Sequence, residues 1–180
     1  KEICYFTGAS VSVIESLIKK EVLISFEKQV FRAPKREKTT PDTSDIHLTE
    51  EQNAAYEGLY KDYRSQDGKT ALLYGVTGSG KTQVFLKLAD SVIADNKGVI
   101  VMVPEISLTP QLISIFTSRY GNKVAVFHSA MSMGQRMDEW QRIREGKAVI
   151  AVGTRSAVFA PFRDLGLIII DEEQEHTYKS

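Results

Sequence analysis

The run Gly75-Val76-Thr77-Gly78-Ser79-Gly80-Lys81-Thr82 constrains this chain more than any other stretch. It fits G-x-x-x-x-G-K-[ST], a pattern that forms a phosphate-binding loop only where a strand feeds it and a helix leaves it. The apolar run Ala71-Leu72-Leu73-Tyr74 reads as that strand, and Gln83 to Ala89 as that helix. Glycine at 75, 78 and 80 opens backbone conformations barred to residues with a Cβ, so successive N–H groups can face phosphate oxygens. The start of the helix adds its unpaired N–H groups and the positive end of its dipole. The predicted nucleotide contacts are therefore Gly75, Thr77, Gly78, Ser79, Gly80, Lys81 and Thr82. Lys81 brings an ammonium to the β- and γ-phosphates, and the Thr82 hydroxyl is placed to ligate Mg²⁺.

A hydrolytic site needs a second half, and Leu167-Ile168-Ile169-Ile170 followed by Asp171-Glu172 supplies a candidate. Asp171, at a strand end, can hold Mg²⁺ directly or through water, while Glu172 can polarise the water that attacks the γ-phosphate. Small-molecule kinases also carry phosphate loops. The paired carboxylates favour an ATP hydrolase over a kinase.

Composition bounds the rest. The chain of 180 residues fits one domain with a small appendage, and since it lacks an initial Met and stops just past a charged run, it reads as a segment of a longer protein. One cysteine, Cys4, leaves no internal disulfide framework and no multi-cysteine zinc site, and a reduced cytoplasmic chain is the simplest account. No apolar run reaches the roughly 18 residues that cross a bilayer. Net charge is zero, yet residues 1–38 hold 8 Lys and Arg against 5 Asp and Glu. A mildly basic appendage on a mildly acidic body gives slight support to contact with DNA.

Taken in order, Ser10 can cap a helix with Val11, Ile14, Leu17 and Ile18 on one face. Val22 to Ala33 then alternates as one strand or a short hairpin around Glu27-Lys28. A helix and a small β-wing over 1–33 fit either the end of a DNA-contacting winged helix or a plain structural appendage. Residues 34–45 have no apolar side chain besides two prolines and read as a linker, leaving 46–180 as the main domain. Thr49 can cap the next helix with Gln52 as its capping-box partner. Beyond the phosphate loop, apolar runs at 99–103, 124–127, 148–152 and 167–170 alternate with helical stretches, one through Phe116 and one from Met133 to Arg144. That alternation predicts a doubly wound α/β fold with a parallel sheet. Sites in such sheets lie at the carboxyl ends of the strands, and Pro104 to Gln111, His128-Ser129, Gly153-Thr154-Arg155 and Asp171 to Gln174 all fall there. The Gly-Thr-Arg-Ser turn offers N–H groups, a hydroxyl and a guanidinium to a nucleic-acid backbone. Arg155 could instead brace the sheet edge. His128 reads as a local hydrogen-bonding partner, His176 as solvated or packed near the chain end, and Trp140 as core on its helix.

Several stretches together resemble the primosomal replication-restart DNA helicases of superfamily 2, the PriA or primosomal protein N′ family. They are Leu48 to Gln52, Tyr74 to Thr82, Val103 to Gln111, His128-Ser129 with Glu139-Trp140, Val152 to Phe162, and Asp171-Glu172-Glu173. The resemblance implies a RecA-like helicase lobe 1, truncated, preceded by part of a winged-helix domain. It implies ATP and Mg²⁺ as ligands, Gln52 against the adenine, and Lys81, Asp171 and Glu172 as the catalytic set. Pro104, Glu105, Thr109, Gln111, Thr154, Arg155 and Ser156 would contact the DNA strand. It further implies a bacterial, cytoplasmic, nucleoid-associated enzyme that unwinds 3′-to-5′ at stalled or collapsed forks and starts primosome assembly. Its partners would be forked and single-stranded DNA, primosome proteins and single-strand-binding proteins, with no membrane. A zinc site, an arginine finger, a second lobe and the strand after Asp-Glu-Glu are expected beyond Ser180, so this segment alone should have little activity. In related folds that strand lies between those ending at Tyr74 and Ile170. Gln174 departs from the pattern, since the best-known members carry His there. Two other readings stay open: a nucleotide-dependent DNA-binding scaffold that loads other proteins, and a small-molecule kinase.

Overall fold

Each strand of the sheet is a short, uncharged run dominated by aliphatic side chains. The structure, a computed structural model, describes residues 7–25, 44–65 and 67–178, and divides into two units, 1–31 and 32–180. In the larger unit β1 (Gly98–Met102), β2 (Val124–Phe127) and β3 (Ile150–Gly153) are buried at every position. β4 (Leu165–Ile170) is half open to solvent. The strands are parallel in the order β2-β3-β1-β4, with Val101 in register with Val152 and Ile169. Continuous apolar runs on both faces are what a parallel sheet covered on two sides requires.

Side chains alternate across the sheet with period two, and the core divides accordingly. Val99, Val101, Val124, Val126, Ile150, Val152 and Ile169 face one layer, closed by Leu86, Ala89 and Val92 of one helix and Phe116 and Tyr120 of another. Ile100, Met102, Ala125, Phe127 and Ala151 face the other layer, with Ile143 buried among them and Trp140 packed against them. The helices are α2 (Glu50–Ser65), α3 (Lys81–Ala94), α4 (Pro110–Tyr120) and α5 (Met133–Arg144). The predicted doubly wound α/β fold is thus present.

Helix ends follow the chemistry of their caps. Thr49 and Gln52 form the expected reciprocal pair, Thr49 N–H donating to Gln52 Oε1 at 3.0 Å and Gln52 N–H to Thr49 Oγ1 at 3.3 Å. Ser132 and Gln135 repeat that box at α5, and Thr109 caps α4 with Pro110 in its first turn. Asn96, at φ 59°, turns the chain out of α3 towards β1. Asp90 on α3 accepts from Arg119 and from the Tyr120 hydroxyl, tying α4 to α3.

The expectation for Ala71 to Tyr74 fails here. Residues 69–76 form no strand, and Leu72, Tyr74 and Val76 are 73%, 92% and 76% exposed. A strand needs a neighbour to take its N–H and C=O groups. β4 is the sheet edge on that side, and no strand among the described residues joins it to this run.

The smaller unit contains α1 (Val11–Lys19), with Ile14, Leu17 and Ile18 of the predicted face half-buried, while Val11, at the first turn, is exposed. Ser10 stands at its N-cap, but its hydroxyl pairs with Ser12 Oγ at 2.8 Å and caps no helix N–H. Val22 to Ser25 form no strand, and the rest of the expected wing, 26–33, lies outside the described residues, as does 34–43 of the expected linker.

Candidate nucleotide and polynucleotide site

The glycine loop turns as the pattern demands. Gly78 and Gly80 take φ of 81° and 78°, and Gly80 stands at the N-cap of α3, so no side chain covers the first amides of that helix. Lys81 folds back over the loop, its Nζ donating to the carbonyls of Gly75 at 2.7 Å and Val76 at 3.0 Å. Gln52 reaches the same loop from α2: besides its capping role, its Nε2 donates to the Ser79 carbonyl at 2.9 Å. Its amide oxygen thus serves the helix cap while its amide nitrogen meets the loop.

Asp171 continues β4 for one step, its N–H donating to the Met102 carbonyl at 2.9 Å. Glu172 follows with φ 50°, a conformation uncommon for a residue with a Cβ, and its N–H donates to Asp171 Oδ1 at 3.0 Å. Glu172 Oε2 accepts from the Ser107 hydroxyl at 2.9 Å, which joins the acidic pair to the loop after β1. Tyr178 closes the turn by donating its hydroxyl to the Asp171 carbonyl at 2.9 Å. Burial, and then the carboxylates of Asp171, Glu172 and Glu175, push its phenol up, so it stays protonated and keeps donating.

The glycine loop and the acidic pair share one rim. Gly166, near the start of β4, lies against Val92 and Lys97 at the far end of α3, and Gly98 N–H donates to the Asp164 carbonyl at 2.7 Å. The 14 residues of α3 run back along the sheet for about 21 Å. The 6 residues of β4 advance about 20 Å the other way. The start of α3 is thereby carried towards the edge of the sheet at which β4 ends. The donor set fits a magnesium ion: the Thr82 hydroxyl and Asp171 Oδ2 make no hydrogen bond among the described residues, and Mg²⁺ is commonly held by one or two protein oxygens plus phosphates and water. Among the described residues there is no cluster of three or more His, Cys, Asp or Glu.

Further along the rim, the ends of β1 and β3 frame a cavity of about 390 Å³. Of the residues expected to touch a polynucleotide, Pro104, Glu105, Thr154, Arg155 and Ser156 line it, whereas Thr109 and Gln111 lie in the first turn of α4 outside it. Gly153 is required where β3 enters this turn, because a Cβ there would strike the Phe127 carbonyl. Trp140 both packs and donates, its Nε1 reaching the Phe159 carbonyl at 2.9 Å to hold the 155–159 turn down. The side chain of His128 makes no hydrogen bond among the described residues, so the partner role expected of it is not observed; His176 is exposed. Two residues of the rim went unremarked in the sequence, Tyr178 and Arg136, the last lining the cavity from α5, while Ser107 was noted only as part of its loop. A signal for Arg136 existed, since it precedes Trp140 by four residues and so shares its helical face.

This combination of a parallel α/β sheet, a glycine loop and an Asp-Glu pair on one rim has a match among protein families. The model of DEAD/DEAH box helicases fits residues 49–180, and the chain belongs to that family. It is 46% identical over 178 residues to the replication restart protein PriA of Bacillus subtilis, an alignment covering 99% of this chain and 22% of that protein. With the replication restart protein PriA of Synechocystis it shares 41% over 170 residues, 94% of this chain and 20% of the relative. With that of Haemophilus influenzae it shares 46% over 108 residues, 60% of this chain and 15% of the relative. The chain thus spans about a fifth of the length of the first two relatives. No described helix is long and apolar enough to cross a membrane.

Proposed function

We propose that this chain is the ATP-binding lobe of a DNA helicase that restarts replication, working 3′-to-5′ at stalled or collapsed forks and beginning primosome assembly in the bacterial cytoplasm, at the nucleoid. In this reading the amides of Gly75 to Gly80 and the start of α3 hold the phosphates, Lys81 leaves its two carbonyls for the β- and γ-phosphate oxygens, and Gln52 turns its amide to the adenine. Thr82 and Asp171 would hold Mg²⁺, which neutralises charge on the transferring phosphate. Glu172 orients the attacking water and takes its proton. Pro104, Glu105, Thr109, Gln111 and Thr154 to Ser156 face the single strand, whose backbone is held without reading sequence. Residues 1–33 belong to a winged-helix domain, 34–45 to a linker, and 46–180 to an incomplete lobe. The full-length protein adds the second lobe, a zinc-binding insertion, the strand that lies beside β4, and the surfaces that meet primosome and single-strand-binding proteins. The isolated segment hydrolyses ATP slowly, since the groups completing the site are elsewhere.

The observation that carries the reading is the hydrogen bond from Ser107 to Glu172, because it joins the loop assigned to the strand to the carboxylate assigned to hydrolysis. The test is Lys81→Ala in the full-length protein. Unwinding of a forked duplex should be abolished, with ATP affinity reduced and single-strand affinity retained. Unwinding at the unsubstituted rate would refute the reading.

A further inference from the structure

Arg136 is the one described residue with a buried side-chain polar atom lacking any partner: its Nε is out of reach of solvent and bonded to nothing. Its guanidinium makes no hydrogen bond or ion pair among the described residues. An unpaired buried donor costs about 1–3 kcal/mol, and more when charged, so a folded protein rarely keeps one without a use. The cavity it lines is mixed, with apolar walls from Val103, Pro104 and Phe159 and two guanidiniums against one carboxylate. Ser129, Thr154 and Ser156 bring hydroxyls to it, and Arg155 brings a second guanidinium. Tyr178 also lines it, but its hydroxyl is already committed to the Asp171 carbonyl.

We infer that Arg136 is a further backbone-binding residue of the polynucleotide site proposed above, gripping one phosphodiester of the strand from the α5 side of this cavity. The inference rests on the functional reading above and adds to it a residue outside every stretch that carries the family resemblance. A guanidinium suits the task because its planar fork can donate two parallel bonds to one phosphate, and because it is less strongly hydrated than an ammonium and tolerates partial burial. The carboxylate of Glu105 on the same wall decides between phosphates. It penalises a dianionic free phosphate more than the single charge of a phosphodiester, so a strand is favoured over inorganic phosphate or a nucleotide terminus. Because the contact is to backbone, it carries no sequence preference.

The test is equilibrium binding of oligo-dT to the full-length protein over a series of salt concentrations. Arg136→Gln should weaken binding about tenfold, the loss of one hydrogen-bonded charge contact. It should also flatten the dependence of log K on log salt by about one unit. KM for ATP should not move, and inorganic phosphate should not compete. Arg136→Lys keeps the stem and the charge; it should hold the salt slope and lose about threefold in affinity, since an ammonium cannot donate as a planar fork. Affinity and slope unchanged in Arg136→Gln would overturn the inference. So would an Arg136→Lys protein equal to the unsubstituted one in both, even if Arg136→Gln failed to fold. Failure of the unsubstituted protein to bind oligo-dT would overturn the functional reading itself, and this inference with it.

Discussion

Ser107 is a small residue in a short 3-10 turn, Glu105–Ser107, yet among the described residues its hydroxyl is the only hydrogen-bond donor to the Glu172 carboxylate. That bond ties the carboxylate to the 104–107 turn, so what moves the turn also moves the group proposed to activate water. Ser107→Ala removes one hydrogen bond to a charged acceptor, a change bounded at about 1.5–3 kcal/mol. The expected outcome is a fall of at least about threefold in the stimulation of ATP hydrolysis by single-stranded DNA, with DNA affinity unchanged, and Ser107→Thr should restore it. Steady-state ATPase assays with and without oligo-dT check this; an unaltered stimulation ratio in the alanine variant would separate the two residues functionally. Nothing in the linear sequence pairs positions 107 and 172. Both were legible as members of polar strand-end loops, but their contact depends on the parallel register that sets Met102 beside Ile170.

At the scale of elements, the α5 helix shows how much a periodic pattern discloses and where it stops. Its span was readable as running from about Met133 to Arg144, as the structure has it. Its buried ion pair was not. Glu139 is 1% exposed and accepts from Arg142 at 2.6 Å, while Arg142 also donates to the carbonyls of Val124 and Asn122 at the start of β2. A glutamate on a helix reads as surface unless a partner is known to lie one turn away inside the fold. Glu139→Ala would strand the Arg142 charge and should cost about 3 kcal/mol of stability, at the low end for a broken buried pair because the two carbonyls remain. Chemical denaturation of the full-length protein would register it as an earlier first transition. The run before the glycine loop shows the opposite failure. Ala71 to Tyr74 has the composition of a strand, but strand formation depends on a neighbour, and composition carries no information about whether one is present.

Across the whole molecule, the parallel sheet does the sorting. Every connection returns to the same edge, so the residues following β1, β2, β3 and β4 gather at one rim with the start of α3, while the opposite rim holds the returns at Lys97, Lys123 and Lys147. This is why the fold class and most of the rim were legible from motif spacing alone, and why Arg136, which reaches the rim from a helix face, was not. The central claim is that ATP cleavage at Lys81, Asp171 and Glu172 is felt by a strand lying a few residues away on that rim. Its most direct test is the ATPase rate of the full-length protein and of Glu172→Gln, each measured with and without forked DNA. The account predicts a DNA-stimulated rate that falls at least about a hundredfold in Glu172→Gln, as expected for loss of a general base, with ATP still bound. An equal rate in the two proteins, or a rate indifferent to DNA in the unsubstituted one, would contradict it.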